Sequence, residues 1–72
     1  MLFRSVTNLL EVLRVNPEFA EARYNLGNAY LLSGRIDDAI RELEGVLKQK
    51  PGFPPATRAL ERARAMKAAP GK

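Results

Sequence analysis

The apolar pattern of the chain repeats itself at an offset of 34 positions. Pro17 pairs with Pro51 in this way, and Phe19 pairs with Phe53. The further matches are apolar or small side chains: Ser5 with Ala39, Val6 with Ile40, Leu9 with Leu43, Val12 with Val46, Leu13 with Leu47, Ala22 with Ala56, Leu26 with Leu60 and Ala29 with Ala63. Self-similarity at such a period is typical of stacked units, each burying its apolar face against its neighbours.

The spacing of the apolar residues predicts four helices joined by short turns. We expect the helices over about residues 2–15, 18–33, 36–50 and 54–69, followed by a frayed tail over 70–72. Pro17 ends the first helix because proline disfavours the helical conformation of the residue before it. Gly34 caps the second helix, and Pro51 ends the third. Short connections make consecutive helices antiparallel neighbours. The predicted fold is therefore all-α, with antiparallel helix hairpins stacked as a short α-solenoid in a single domain over 1–70.

Gly27 lies inside the second predicted helix, where glycine costs about 1 kcal/mol relative to alanine. It falls on the side of that helix that we expect to be buried. The missing side chain would let the third helix approach closely, with Ala39 as the small residue opposite. We expect Tyr30 to fill the space beside this contact together with Leu43 and Val46.

The composition excludes several kinds of site. The chain contains no cysteine and no histidine, so disulfide bonds, Cys/His zinc sites and His-based catalysis are ruled out. No apolar run is long enough to span a bilayer. The first residues do not resemble a signal peptide, because Arg4 and Glu11 interrupt them and no small-residue cleavage site follows. We expect no cofactor, no metal and no membrane insertion, and a cytoplasmic location with the periplasm as the alternative.

The acidic residues of the third helix do not form a catalytic pair. Asp37 and Asp38 are adjacent, so their side chains point about 100° apart on a helix. They lie in the first helical turn, where the helix dipole favours negative charge. We interpret them as helix-start residues and expect no catalytic residue. The remaining acids are expected to form a solvated face with nearby bases: Glu42 and Glu44 with Arg41 and Lys48.

The sequence of residues 20–53, AEARYNLGNAYLLSGRIDDAIRELEGVLKQKPGF, resembles the tetratricopeptide repeat, a helix–turn–helix unit of 34 residues. The matching signature residues are Leu26, Gly27, Tyr30, Ala39 and Pro51. Leu43 stands where the family more often has Phe or Tyr, and Arg23 stands where it usually has Trp. Residues 1–17 resemble the second helix of a preceding repeat, and residues 54–69 resemble the first helix of a following one.

The last helix departs from the repeat at two positions. Glu61 and Arg64 stand where the preceding unit has Gly27 and Tyr30. Terminal units of repeat arrays need a polar outer face. We therefore interpret residues 54–69 as a capping helix.

The resemblance implies a concave groove that holds an extended peptide. By position, the groove residues would be Glu21, Tyr24, Asn25, Asn28, Leu31 and Leu32 of the second helix, with Arg58, Arg62 and Ala65 of the fourth. The asparagines and arginines resemble those of family members that clamp an acidic peptide C-terminus, although Tyr24 stands where those members carry a basic residue. The alternative is that Arg58 and Arg62 only keep an end helix soluble.

The first helix is apolar over more than one face. Leu2, Phe3, Val6 and Leu10 are the residues concerned, and Phe3 and Leu10 fall where repeats usually carry polar residues. Uncovered apolar surface of this kind usually marks an interaction site. We expect this helix to associate with a second copy of itself or with another chain. The alternative is an upstream helix of a longer array.

The net charge of +4 resides entirely in residues 56–72, because residues 1–55 are neutral overall. Such a segment could attract nucleic-acid phosphates. Tyr24 and Tyr30 lie in the second predicted helix, however, and the fourth has no aromatic residue on which bases could stack. We do not expect nucleic acid as a partner. The predicted function is non-enzymatic: a protein-interaction module that binds a peptide or helix, with an acidic partner suggested by the arginines. The alternative is a structural unit that forms homo-oligomers through the first helix.

Overall fold

The computed structural model describes the backbone of residues 2–68 and the side chains of residues 6–68. It contains four helices: α1, Leu2–Val15; α2, Ala20–Leu32; α3, Ile36–Gln49; and α4, Pro54–Ala68. No strand occurs over residues 2–68. Each helix packs against the next, and α2 also contacts α4. The all-α arrangement of stacked helices is thus confirmed, whereas the predicted tail at 70–72 lies outside the described residues.

The second helix begins at Ala20, two residues later than the periodicity predicts. Pro17 and Glu18 form a turn instead, which the Phe19 N–H closes by donating to the Asn16 carbonyl oxygen at 3.1 Å. Phe19 itself has a ψ of 90°, outside the helical region. The turn reverses the chain between α1 and α2. Glu18 is therefore part of the turn and not of α2.

The C-terminus of α2 is closed by Gly34, as predicted. Its φ is +81°, a conformation that glycine adopts without a steric penalty. The Arg35 N–H donates to the Tyr30 carbonyl oxygen at 2.9 Å, and the Gly34 N–H donates to that of Leu31 at 3.1 Å. These two bonds constitute a Schellman motif. They satisfy the last carbonyls of α2 and direct the chain into α3 within three residues.

Gly27 lies where α2 packs directly on α3. A Cβ atom placed there would lie 2.8 Å from Leu43 Cγ and 3.5 Å from the Ala39 carbonyl oxygen. The predicted close contact is present, with the Leu43 side chain as its main partner. The prediction for Tyr30 was wrong in part. It packs with Leu26 and Ala39 and not in the cluster of Leu43, because its position on α2 turns it toward α1.

Two apolar clusters hold the helices together. The first joins α1, α2 and α3 and contains Leu26, Tyr30 and Ala39, with Val6, Leu9, Leu13 and Leu31 packed against it. The second joins α3 and α4 to the start of α2 and contains Ala20, Leu43, Val46, Ala56, Ala59, Leu60 and Ala63. Three of the four α4 residues in it are alanines, so α4 lies close to α3. Leu31 packs against both clusters.

Arg23, at the position where the repeat usually has Trp, forms a polar contact between α2 and α3. It donates from Nη1 to Glu42 Oε1 at 3.2 Å and from Nη2 to the Pro17 carbonyl oxygen at 2.8 Å. Gly45 leaves room for it, since a Cβ there would lie 3.1 Å from Arg23 Cδ. The prediction that Glu42 pairs within its own helix was therefore wrong, because the guanidinium of the neighbouring helix reaches it.

Ion pairs also tie α4 to α3. Arg64 Nη2 lies 2.9 Å from Glu44 Oε2, and Lys67 Nζ lies 2.7 Å from Asp37 Oδ1. A hydrogen bond and the charge of Lys67 lower the pKa of the Asp37 carboxyl. Glu44 was expected to pair within α3. It pairs with α4 instead, because the residue that α4 has at the position of Tyr30 is a long cation, Arg64.

The Schellman motif predicts a contrast between two glycines. Gly34→Ala should lower the free energy of unfolding by about 1–2 kcal/mol, because a Cβ is disfavoured in the left-handed conformation. Gly52→Ala is the control, since its Cβ would enter open space and its φ is not positive. Urea unfolding followed by circular dichroism measures both. Equal stability of the two variants would contradict the assigned role of Gly34.

Candidate peptide-binding groove

A groove of about 580 Å³ lies between α2 and α4. Both walls come from these two helices, which pack on α3. The lining residues are Tyr24, Asn28, Leu31, Leu32, Pro55, Arg58, Ala59, Arg62 and Met66. The groove remains between α2 and α4 because both helices pack against α3 and make only a small contact with each other.

Six of the nine predicted groove residues line this surface: Tyr24, Asn28, Leu31, Leu32, Arg58 and Arg62. Glu21 and Asn25 are exposed and lie outside the lining. Glu21 is in the first turn of α2, before the groove begins, and Asn25 is rotated about 100° from Tyr24. Ala65 does not line the groove either.

Sequence reasoning missed Pro55, Ala59 and Met66. The repeat carries a signal for Met66, which occupies the same position in α4 as Leu32 does in α2. Pro55 and Ala59 correspond in the same way to Glu21 and Asn25. The two helices thus contribute partly different repeat positions to the groove.

Tyr24 is held in place at one end of the groove by the connection between α3 and α4. Its ring meets that of Phe53 edge to face, with centroids 5.5 Å apart and planes at 79°. Lys50 Nζ lies 5.6 Å from the centre of the Phe53 ring. Aromatic pairs of this geometry are favourable beyond their buried area. The groove therefore has one aromatic side chain in its lining, and that ring packs against Phe53.

The charge of the groove is purely basic. Arg58 and Arg62 are exposed, and the lining contains no acidic side chain. Neither arginine forms an ion pair with any residue of 6–68, whereas the other arginines of that range each have a carboxylate within 4.0 Å: Arg14, Arg23, Arg35, Arg41 and Arg64. The i, i+4 spacing puts the two unpaired guanidinium groups on one face of α4.

The residues predicted for self-association are Leu2, Phe3, Val6 and Leu10, and those whose side chains are described differ in exposure. The side chains of Leu2 and Phe3 lie outside the described residues. Val6 is half-buried and packs against the cluster of Tyr30 on α2. Leu10 has 47% of its surface exposed. Among the described side chains of this set, only Leu10 presents a large apolar surface to solvent.

Neither a metal site nor a membrane span is found in the described part of the chain. No three potential metal ligands among its acidic side chains lie together. None of the four helices is long and apolar enough to cross a bilayer.

Comparison with known proteins assigns the family. Residues 6–68 match a family model described as tetratricopeptide repeat. Comparison with curated proteins gave no significant match. Tetratricopeptide repeats generally mediate protein–protein interaction, and the family is one of non-enzymatic interaction modules. The match covers most of the 72 residues and agrees with the four stacked helices. The chain therefore belongs to the tetratricopeptide repeat family.

Proposed function

We propose that the protein is an interaction module that holds an extended segment of a partner protein in the groove between α2 and α4. The observation that carries this proposal is the composition of the groove, which brings exposed apolar side chains and unpaired cations together. Leu32 has 75% of its surface exposed at the groove wall. Burial of apolar surface on this scale favours binding by about 25 cal/mol for each Å² removed from water.

The polar groups of the groove suit an extended backbone. Asn28 lies in the middle of the α2 wall and is half-buried, so its amide can donate to and accept from a peptide group. An extended segment leaves its backbone N–H and C=O groups unpaired, and these need partners when they are buried. Tyr24, fixed by Phe53, supplies a flat apolar surface beside Asn28.

The groove proposal predicts that a charge at Leu32 abolishes peptide binding. Ten-residue peptides are selected from a random library on the intact protein, and their affinity is measured by fluorescence anisotropy. Leu32→Glu should weaken the selected peptides by about tenfold or more, because the carboxylate replaces an apolar contact and resists desolvation. Leu10→Glu is the matched control on α1 and should leave binding unchanged.

Two results would contradict the groove proposal. One is that the library yields no binding peptide. The other is that the selected peptides bind Leu32→Glu as tightly as the unaltered protein. Circular dichroism checks that both variants retain their helices.

The second candidate function is self-association through α1, and a comparison within the chain favours it. Val12 is 39% exposed, whereas its repeat counterpart Val46 is fully buried between two neighbouring helices. Leu10 corresponds to Glu44, whose side chain is 50% exposed although α3 has helices on both sides. Leu10 is thus exposed at a position that stays open within a complete repeat, and its apolar surface is available to a second copy.

Self-association predicts a concentration-dependent mass. Analytical ultracentrifugation from about 1 to 100 µM, the range of weak protein complexes, should then show a dimer. Leu10→Glu should return the protein to a monomer, because it introduces the same charged residue that α3 carries at this position. Leu32→Glu is the control that should leave the dimer intact. A well-folded monomer at every concentration would rule this function out.

A further inference from the structure

We propose that Glu61 keeps copies of this chain from stacking end to end. The inference is independent of the groove and concerns two outer faces of the helix stack, one on α1 and one on α4. The repeat makes these helices two halves of one hairpin, because α4 follows α2 and α3 follows α1 by the same 34 positions. If α4 of one copy met α1 of a second copy, the contact would reproduce that of α2 with α3.

The packing of α2 on α3 shows what such a contact requires. At Gly27 the Leu43 side chain lies directly against the backbone of α2. Tyr24 meets Phe53 edge to face at the end of the same contact, and Leu43 and Val46 are fully buried. A small residue on the first helix and an apolar face on the second are therefore the two requirements.

The outer face of α1 meets the second requirement. At the offset of 34, the counterparts of Leu43, Val46 and Phe53 are Leu9, Val12 and Phe19. Leu9 is only half-buried, and Val12 and Phe19 have 39% and 43% of their surface exposed. Among the described residues, no helix covers this face as α2 covers α3. An uncovered apolar face of this kind favours association with a complementary helix.

The outer face of α4 fails the first requirement at one position. Arg58 replaces the aromatic residue of α2, and a guanidinium group can lie over a ring such as that of Phe19. Glu61, however, stands at the position of Gly27. A single Cβ atom at Gly27 would already lie 2.8 Å from Leu43 Cγ. A whole glutamate side chain therefore holds the second helix away.

Glu61 also brings a charge to the outer face of α4. It is exposed and has no ion-pair partner within residues 6–68. Contact with Leu9 of a second copy would take this carboxylate out of water, which is costly for an unpaired charge. Arg64, the other departure from the repeat, does not obstruct the contact, because its ion pair with Glu44 holds it at the edge with α3.

The contact that Glu61 blocks is heterologous, because the outer faces of α1 and α4 are different surfaces. A heterologous contact that does not close into a ring repeats from copy to copy and produces an open filament. The glutamate thus prevents polymerisation of a chain whose α1 presents exposed apolar side chains.

Removal of the glutamate tests the inference. All variants carry Leu10→Glu, which excludes association through the other exposed side of α1. Glu61→Gly should then assemble, with a mass that rises from one chain to several between about 10 µM and 1 mM, the range of weak complexes. Arg62→Gly is the matched control, because it places a glycine at the neighbouring exposed position of α4, about 100° around the helix. It should remain a monomer.

A mixing experiment identifies the faces that meet. The double variant Glu61→Gly, Val12→Glu has an open α4 face and a charged α1 face, so it should be a monomer alone. Mixed with protein that retains Glu61 and Val12, it should form a one-to-one complex, because its α4 docks on the intact α1 of the other protein. Sedimentation velocity measures both the separate proteins and the mixture.

Glu61→Ala provides a second test that does not depend on glycine within α4. Alanine preserves the helix propensity and removes the carboxylate but keeps a Cβ atom. This variant should assemble more weakly than Glu61→Gly and more strongly than protein with Glu61. The inference is overturned if both variants stay monomeric up to about 1 mM while circular dichroism shows intact helices. It is equally overturned if protein with Glu61 stacks as readily as they do.

Discussion

The structure depends on the contact between Gly27 of α2 and the Leu43 side chain of α3. A Cβ atom at position 27 would lie within 3 Å of two Leu43 carbon atoms. Such distances are far inside van der Waals contact, so only glycine lets the two helices lie this close. Leu43 is fully buried as a consequence and reaches the second apolar cluster, where Val46 and the alanines of α4 pack around it.

The groove follows from that packing. Because α3 is held tightly against α2, the alanine face of α4 can rest on α3 and come into contact with α2 as well. The ion pairs of Glu44 with Arg64 and of Asp37 with Lys67 lie along the edge between α3 and α4. Arg64 and Lys67 are thus paired at this edge. Arg58 and Arg62, which line the groove, have no ion-pair partner among residues 6–68. α4 therefore both forms ion pairs with α3 and supplies one wall of the groove.

The sequence predicts the parts of the structure that repeat. The helices, the left-handed Gly34 and six of the groove residues follow from periodicity, glycine placement and the resemblance. Contacts between helices could not be predicted from the sequence in the same way. The hydrogen bond from Arg23 to Glu42 depends on the packing of α2 against α3, where Gly45 leaves room for the arginine side chain. The later start of α2 depends on the local turn at Pro17. Met66 was missed although the repeat relates it to Leu32.

The stability of Gly27→Ala is the most direct test of the central contact. Alanine gains about 1 kcal/mol of helix propensity over glycine inside a helix, and Gly45→Ala is the matched control because its Cβ would lie 3.1 Å from Arg23 Cδ, a contact that a small shift of this partly exposed side chain relieves. We predict from urea unfolding that Gly27→Ala is less stable than the unaltered protein by about 1–3 kcal/mol, the usual cost of overpacking, while Gly45→Ala is equally or more stable. A Gly27→Ala variant as stable as Gly45→Ala would contradict the account.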